Sequence, residues 1–167
     1  MQEKQPGGRR TSAAFLLAQV GAAAAQEFGK RLEPLGFSPP DAGILRLLSQ
    51  FPGLSQQEVA GRLGMHASRL VAIIDAMEQR GLVERRQNPD DRRLYSLELT
   101  AAGREALAAI GSVARAHDDA ICSPLTAEER TQLAAMLQKL AANLALAPGV
   151  HPGFRRMGSP GTENCPS

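Results

Sequence analysis

Seven residues in the middle of the chain carry groups that can act on a partner: Ser55 and Gln56, then His66, Ser68 and Arg69, then Arg92 and Arg93. These hydroxyls, amide, imidazole and guanidinium groups donate hydrogen bonds and supply positive charge. None of them forms a nucleophile–base pair, so the chemistry on offer is recognition of an acceptor-rich, negatively charged surface. Catalysis finds no support elsewhere in the chain. No glycine-rich phosphate loop, nucleophile elbow or Cys-x-x-Cys occurs. His117-Asp118-Asp119 has the residue types of a metal site, but the other histidines, His66 and His151, stand far away in the chain. A solvated helix face accounts for the triplet, and no metal, cofactor or catalytic residue is assigned.

Net charge decides nothing here. The whole chain of 167 residues carries only +2, and between Ser55 and Thr100 seven arginines (62, 69, 80, 85, 86, 92, 93) face seven acids (58, 75, 78, 84, 90, 91, 98). Any polyanion partner must therefore be recognised through placement of charge. Composition narrows the partner further. Aromatic residues make up 4% of the chain, with no Trp and one Tyr, too few for a platform that stacks unpaired bases.

The elements that must position these groups are legible from caps and periodicity. A helix over Ser12 to Arg31 is alanine-rich and carries Phe15, Leu16, Val20 and Phe28. Ser38-Pro39-Pro40-Asp41 announces a second, with Ile44, Leu45, Leu47 and Leu48 as its apolar positions. Ser55-Gln56-Gln57-Glu58 is a capping box that opens a short third helix, ended by Gly64. The fourth runs from near His66 to Gly81, with Leu70, Ile73, Ile74 and Met77 on one side and the other side free. The period then changes to that of two strands, Leu82–Arg86 and Leu94–Leu99, around Asn88-Pro89-Asp90-Asp91, whose residues form turns. Thr100 caps a fifth helix bearing Leu107, Ile110, Val113 and Ile121. Thr126-Ala127-Glu128-Glu129 opens a sixth through Leu133, Met136, Leu137, Leu140 and Leu144, close to a heptad pattern.

Two short helices joined by a tight Leu-Gly turn and followed at once by a hairpin form a winged helix-turn-helix. The fold class is mainly α. The major groove of B-form DNA admits one helix, whose first turn reaches base edges while the preceding helix crosses the backbone. Ser68 and Arg69 then lie in the first turn of the reading helix. Arg69 is placed to meet a guanine edge or a phosphate, or else is a solvated surface arginine. Ser55 and Gln56 offer bonds to phosphate, although capping alone also explains Ser55. Arg92 or Arg93 can enter a minor groove, unless Asp91 pairs with Arg93 inside the wing, which leaves Arg92 as the contact. Arg85 and Arg86 should diverge to opposite faces of their strand, so that at most one faces DNA.

The stretch LSQQEVAGRLGMHASRLVAIIDAMEQRGLVERRQNPDDRRLYSLELTAAGREAL, residues 54–107, resembles the MarR family of bacterial transcriptional regulators. It shares the family's Leu-Gly turn, Arg-Gly-Leu-Val helix end, Asp-x-Arg wing and Leu-Thr-x-x-Gly approach to the next helix. By helix order alone the likeness extends to residues 12–146. The resemblance implies a homodimer of mostly helical subunits, joined by N- and C-terminal dimerisation helices at about 12–33 and 100–146. Each winged lobe, about 38–100, would read one half of a pseudo-palindromic operator in double-stranded DNA. Half-sites are then expected about 34 Å apart, one DNA turn. The family also implies a small aromatic or phenolic effector, or an oxidant sensed through cysteine. His66 stands where a Ser-like cap is usual in the family and Ala72 where a basic residue is common, which makes Arg69 the candidate for the missing contact.

Residues 1–11 read as a flexible arm, and 147–167, with four Pro and four Gly, as a tail that stays disordered unless a partner captures it. Arg9-Arg10 before TSAAFLLAQVGAAAAQ has the look of a twin-arginine secretion signal. Gln19 interrupts its apolar run, and the stretch is too short to span a membrane. Cys122 and Cys165 do not form a disulfide framework. The expectation is a cytoplasmic repressor and no enzyme. A winged-helix protein-interaction module without DNA binding is the alternative that the neutral charge balance permits.

Overall fold

The structure, a computed structural model, describes residues 12–87 and 95–146. Among these residues six α-helices and a two-stranded antiparallel sheet follow in the order α1 (Ala13–Leu32), α2 (Pro39–Gln50), α3 (Gln56–Leu63), α4 (Ala67–Gln79), β1 (Val83–Gln87), β2 (Tyr95–Leu99), α5 (Ala101–Ile121) and α6 (Ala127–Asn143), with a 3-10 turn at Glu33–Leu35 between α1 and α2. Among the described residues no helix is long and apolar enough to cross a membrane. The proposed limits at residues 1–11 and 147–167, and the turn and arginines at 88–94, lie outside the described residues.

The helix starts follow from the caps. Ser38, Ser55 and Thr126 each accept a bond from the backbone N–H three residues on, and the acid there accepts one back from the cap's own N–H. Each box satisfies two of the donors that a helix start leaves unpaired. Gly64, at φ 62°, ends α3: its N–H reaches the Gly61 carbonyl, and the Met65 N–H reaches that of Ala60. Only the left-handed backbone closes both bonds, and glycine adopts it without a Cβ clash. Met65, 7% exposed, then drops into the core and turns the chain into α4.

The core lies inside the winged lobe. Ile44, Leu45 and Leu48 of α2, Val59 and Leu63 of α3, Leu70, Ile74 and Met77 of α4, and Val83 and Leu97 of the sheet are buried together, with Leu32 and Ile110 closing it from α1 and α5. The hairpin pairs Val83 with Leu99 and Arg85 with Leu97. β2 is also joined on its other side, where the Leu97 N–H donates to the Leu54 carbonyl and Ser55 bridges Ser96. The wing is thereby tied to the start of α3.

Boundaries of the first strand differ from the sequence reading. Expected over Leu82–Arg86, it runs Val83–Gln87. Leu82 instead closes α4 with its N–H on the Met77 carbonyl, and its own carbonyl receives the Thr100 N–H. The helix end thus uses the Leu82 N–H, and the bond to its carbonyl is the last rung of the ladder.

The terminal helices are different. α1 buries only Leu32, and α6 buries no residue. Phe15, Leu16, Leu17 and Val20 on the first, and Met136, Leu137, Leu140 and Leu144 on the second, remain exposed. The described residues provide no cover for these side chains.

Candidate nucleic-acid interface

The surface is built at the start of α4. Leu70, Ile74 and Met77 hold one side of this helix in the core, so Ser68 and Arg69 are turned to solvent. His66 occupies the cap position with an extended backbone (φ −65°, ψ 135°), and its exposed side chain makes no capping bond. Among the described residues the Ala67 and Ser68 amides of α4, at the end where the helix dipole is positive, therefore stay open, while that of Arg69 donates to the His66 carbonyl at 3.1 Å. A phosphate oxygen fits such an end. The Arg69 guanidinium makes no hydrogen bond or ion pair with another described residue.

The start of α3 is more committed. Ser55 donates from both its N–H and its hydroxyl to the Glu58 carboxylate, each at 2.8 Å, and its Oγ accepts the Glu58 N–H at 3.3 Å. The hydroxyl hydrogen is thus used within the cap. Bonds from the Ser55 backbone and side chain hold the Glu58 carboxyl below the usual carboxylate range, which keeps it charged and the box closed. Gln56 is half-buried, and its amide nitrogen is shielded from solvent without an acceptor among the described residues. What this helix start presents outward is its backbone.

The arginines divide by geometry. Arg85 leaves β1 toward α4, where its two terminal nitrogens bind Glu78 and Asp75. Burial pushes its guanidinium pKa down, but the hydrogen bond to Asp75 and the charges of Glu78 and Asp75 outweigh this, and the net shift is upward. The result matters for a polyanion partner: a cation in the wing strand offsets half of the negative charge that the two carboxylates place on the wing side of α4. Arg86 points to the opposite face, as the strand period requires, and bridges Glu84 at 2.6 Å and Glu98 at 3.2 Å. Those two glutamates stand directly across the ladder from each other, a repulsive pair that Arg86 relieves. Neither Arg85 nor Arg86 is free to meet a phosphate. Arg62 and Arg80 lie over the rings of Phe51 and Phe37, at 4.2 and 4.4 Å from their centres.

The structure thus brings His66, Ser68 and Arg69 onto one exposed turn, with Ser55 and Gln56 at the start of the preceding helix. Arg92 and Arg93 fall outside the described residues. The sequence reading missed the Arg85 clamp, although Asp75 and Glu78 one turn apart on α4 were a visible sign of it. Replacing Arg85 by Ala is expected to lower stability by about 1 kcal/mol, measured by urea unfolding, because the acids are well exposed and solvent screens the pairs.

Away from this surface, the His117 ring packs against Phe28 with 5.4 Å between centres. Among the described residues no three His, Cys, Asp or Glu side chains cluster closely enough to hold a metal ion. An open cavity of about 150 Å³ lies between α2, β2 and α5, lined by Leu48, Ser49, Pro52, Glu98, Leu99 and Arg104. Its charged groups are already engaged, Arg104 with the Leu99 carbonyl and Glu98 with Arg86.

A helical pair with a tight glycine turn, an exposed second helix and an attached two-stranded hairpin defines a winged helix-turn-helix protein. The family profile that matches, MarR, covers residues 37–95. The HTH-type transcriptional repressor Rv2887 of Mycobacterium tuberculosis is 33% identical over 129 residues, 77% of this chain and 93% of that protein. This chain belongs to the MarR family. The crystal structure of Rv2887 in complex with DNA superposes with a TM-score of 0.68 at 33% identity, covering 78% of this chain and 98% of that one. The structure of Rv2887 with salicylic acid gives a TM-score of 0.65 at 32% identity, covering 79% and 98%.

Proposed function

We propose that this chain is a sequence-specific repressor that binds a pseudo-palindromic site in double-stranded DNA as a homodimer and is released by a small aromatic or phenolic effector. The observation that carries the reading is the first turn of α4. It is exposed, without a side-chain cap bond, and led by an Arg69 guanidinium that has no partner among the described residues, while Arg85 partly offsets the acids farther along the helix. Such a turn enters a major groove with its positive end first. Rv2887, at 33% identity, has been solved with DNA, which supports the same partner for this chain.

In this arrangement Ser68 and Arg69 meet base edges, the starts of α3 and α4 meet phosphates, and Arg92 or Arg93 of the wing reaches the flanking minor groove. The exposed apolar faces of α1 and α6 are the seam between two copies. The salicylic acid complex of Rv2887 supports an aromatic acid as effector. A ligand that fixes the two lobes at the wrong separation prevents both half-sites from being engaged together.

Fluorescence anisotropy on the duplex upstream of its own gene, at two salt concentrations, tests this reading. Arg69→Ala is expected to cut the preference for the specific duplex by about 5- to 150-fold, the value of one bidentate base contact. Arg92→Ala should weaken binding to all duplexes alike and reduce the salt slope by about one. Absence of any salt-dependent binding would instead favour a protein-interaction role. Titrated salicylate should raise the apparent Kd for the specific duplex, and an unchanged Kd removes that effector class.

A further inference from the structure

Resting on the DNA-binding reading above, the inference concerns what α4 has in place of polar base readers. Val71 is 40% exposed, the largest apolar side chain that α4 turns to solvent. At 3.6 residues per turn it falls about 100° around the helix from the buried Leu70. It shares a stripe with Asp75 and Glu78, the acids that Arg85 grips from the wing, but lies one turn nearer the leading end. Ser68 and Ala72 occupy the middle of the outward side, and Arg69 the far flank. Packing does not call for valine here, since its side chain is not buried. Helix propensity disfavours it relative to alanine. Ala72 adds no polar reach and lets the helix backbone approach a groove floor closely. The first two turns therefore present Ser68 and Arg69 as hydrogen-bonding readers and, beside them, the two methyls of Val71.

Among the base-pair edges of the major groove, the group that rewards an apolar contact is the C5-methyl of thymine. We infer that Val71 packs on the C5-methyl of one thymine in each half-site and makes that step a determinant of operator choice. A polar group at this position would discriminate by hydrogen bonding; valine discriminates by a methyl group. Cytosine lacks the C5-methyl, so the step prefers T·A over C·G.

The test uses the full chain. A preferred duplex is first selected from a random library by binding, and each thymine in it is then replaced singly by deoxyuridine, which lacks only the methyl. Burial of one methyl predicts a loss of about fourfold at the contacted step, and about fifteenfold when both half-sites are changed. Val71→Ala should erase that loss at this step and leave the effects of other positions unchanged. Its melting temperature should match the parent, because the side chain is exposed and alanine is the better helix former. Val71→Thr, which keeps one methyl at nearly the same volume, should retain part of the discrimination. A preferred duplex in which no deoxyuridine substitution matters, or in which the sensitive step is equally sensitive in Val71→Ala, overturns the inference and leaves DNA binding intact. A library that yields no preferred duplex overturns both.

Discussion

Gly103→Ala is expected to destabilise the chain by about 3–4 kcal/mol, one of the largest effects that a single added methyl can have. A Cβ at this position would lie 2.0 Å from the Leu82 carbonyl oxygen, 3.0 Å from its carbon and 3.3 Å from Leu99 Cδ2. The first of these is far inside any permitted contact, and the atom it meets is backbone. That carbonyl cannot retreat freely, because it accepts the Thr100 N–H at 3.2 Å and the Thr100 hydroxyl at 3.3 Å. The single hydroxyl hydrogen is shared with the Gly81 carbonyl, the nearer acceptor at 2.6 Å, and the hydroxyl oxygen accepts the Gly103 N–H at 3.0 Å, so cap, turn and helix start are one bonded unit. Moving α5 away would separate the end of α4 from the helix that carries the winged lobe. Urea unfolding of Gly103→Ala beside Gly61→Ala isolates the cause. Gly61 also lies in a helix, but a Cβ there meets nothing within 4 Å, and that substitution should stabilise by roughly 0.5–1 kcal/mol. A Gly103→Ala chain within 1 kcal/mol of the parent would show that α5 does not sit this close to the turn.

Leu140→Asp carries the largest expected effect on function. Leu140 is 48% exposed in the single chain and lies on α6 with Met136 and Leu144, one helical turn to either side. A helix of 17 residues with no buried side chain has little reason to stay folded alone, since isolated helices of this length are marginal in water. Two copies of the chain can bury these side chains against each other, together with Phe15 and Val20 of α1. A carboxylate at position 140 would have to be desolvated without a partner, which costs more than the seam gains there. Sedimentation at micromolar concentration should then find a monomer. Affinity for the specific duplex should fall by at least about 100-fold, because the second half-site is no longer bound as an intramolecular event. The lobe core, which includes no residue of α6, should survive, and its circular dichroism should persist. A variant that remains dimeric and binds DNA as before places the seam elsewhere.

Both predictions rest on contacts whose legibility in the sequence differs. Local features were readable. Ser38, Ser55 and Thr126 announce their helices because a cap involves residues three apart, and Gly64 and Gly81 announce the ends because a left-handed residue is needed there. The Leu-Thr-x-x-Gly pattern was visible as well. Its cause was not, since Gly103 is required by a carbonyl at Leu82, on the far side of the hairpin.

The same division runs through the charges. Counting gives seven arginines and seven acids between Ser55 and Thr100, a balance that by itself says nothing about which cations are available. Arg85 is removed from the count by Asp75 and Glu78, ten and seven residues away, and Arg86 by Glu84 and by Glu98 across the ladder.

The sequence by itself determined the order of the elements, their caps, the inward stripe of α4 and the family, because periodicity and capping act over three or four residues along one strand of chain. Only the tertiary structure decided which arginines are paired, why Gly103 admits no side chain, how far Val71 stands in solvent, and that the described residues leave apolar faces of α1 and α6 uncovered. Those are properties of distance through space, and burial and electrostatic pairing depend on which surfaces meet after the chain has turned back on itself.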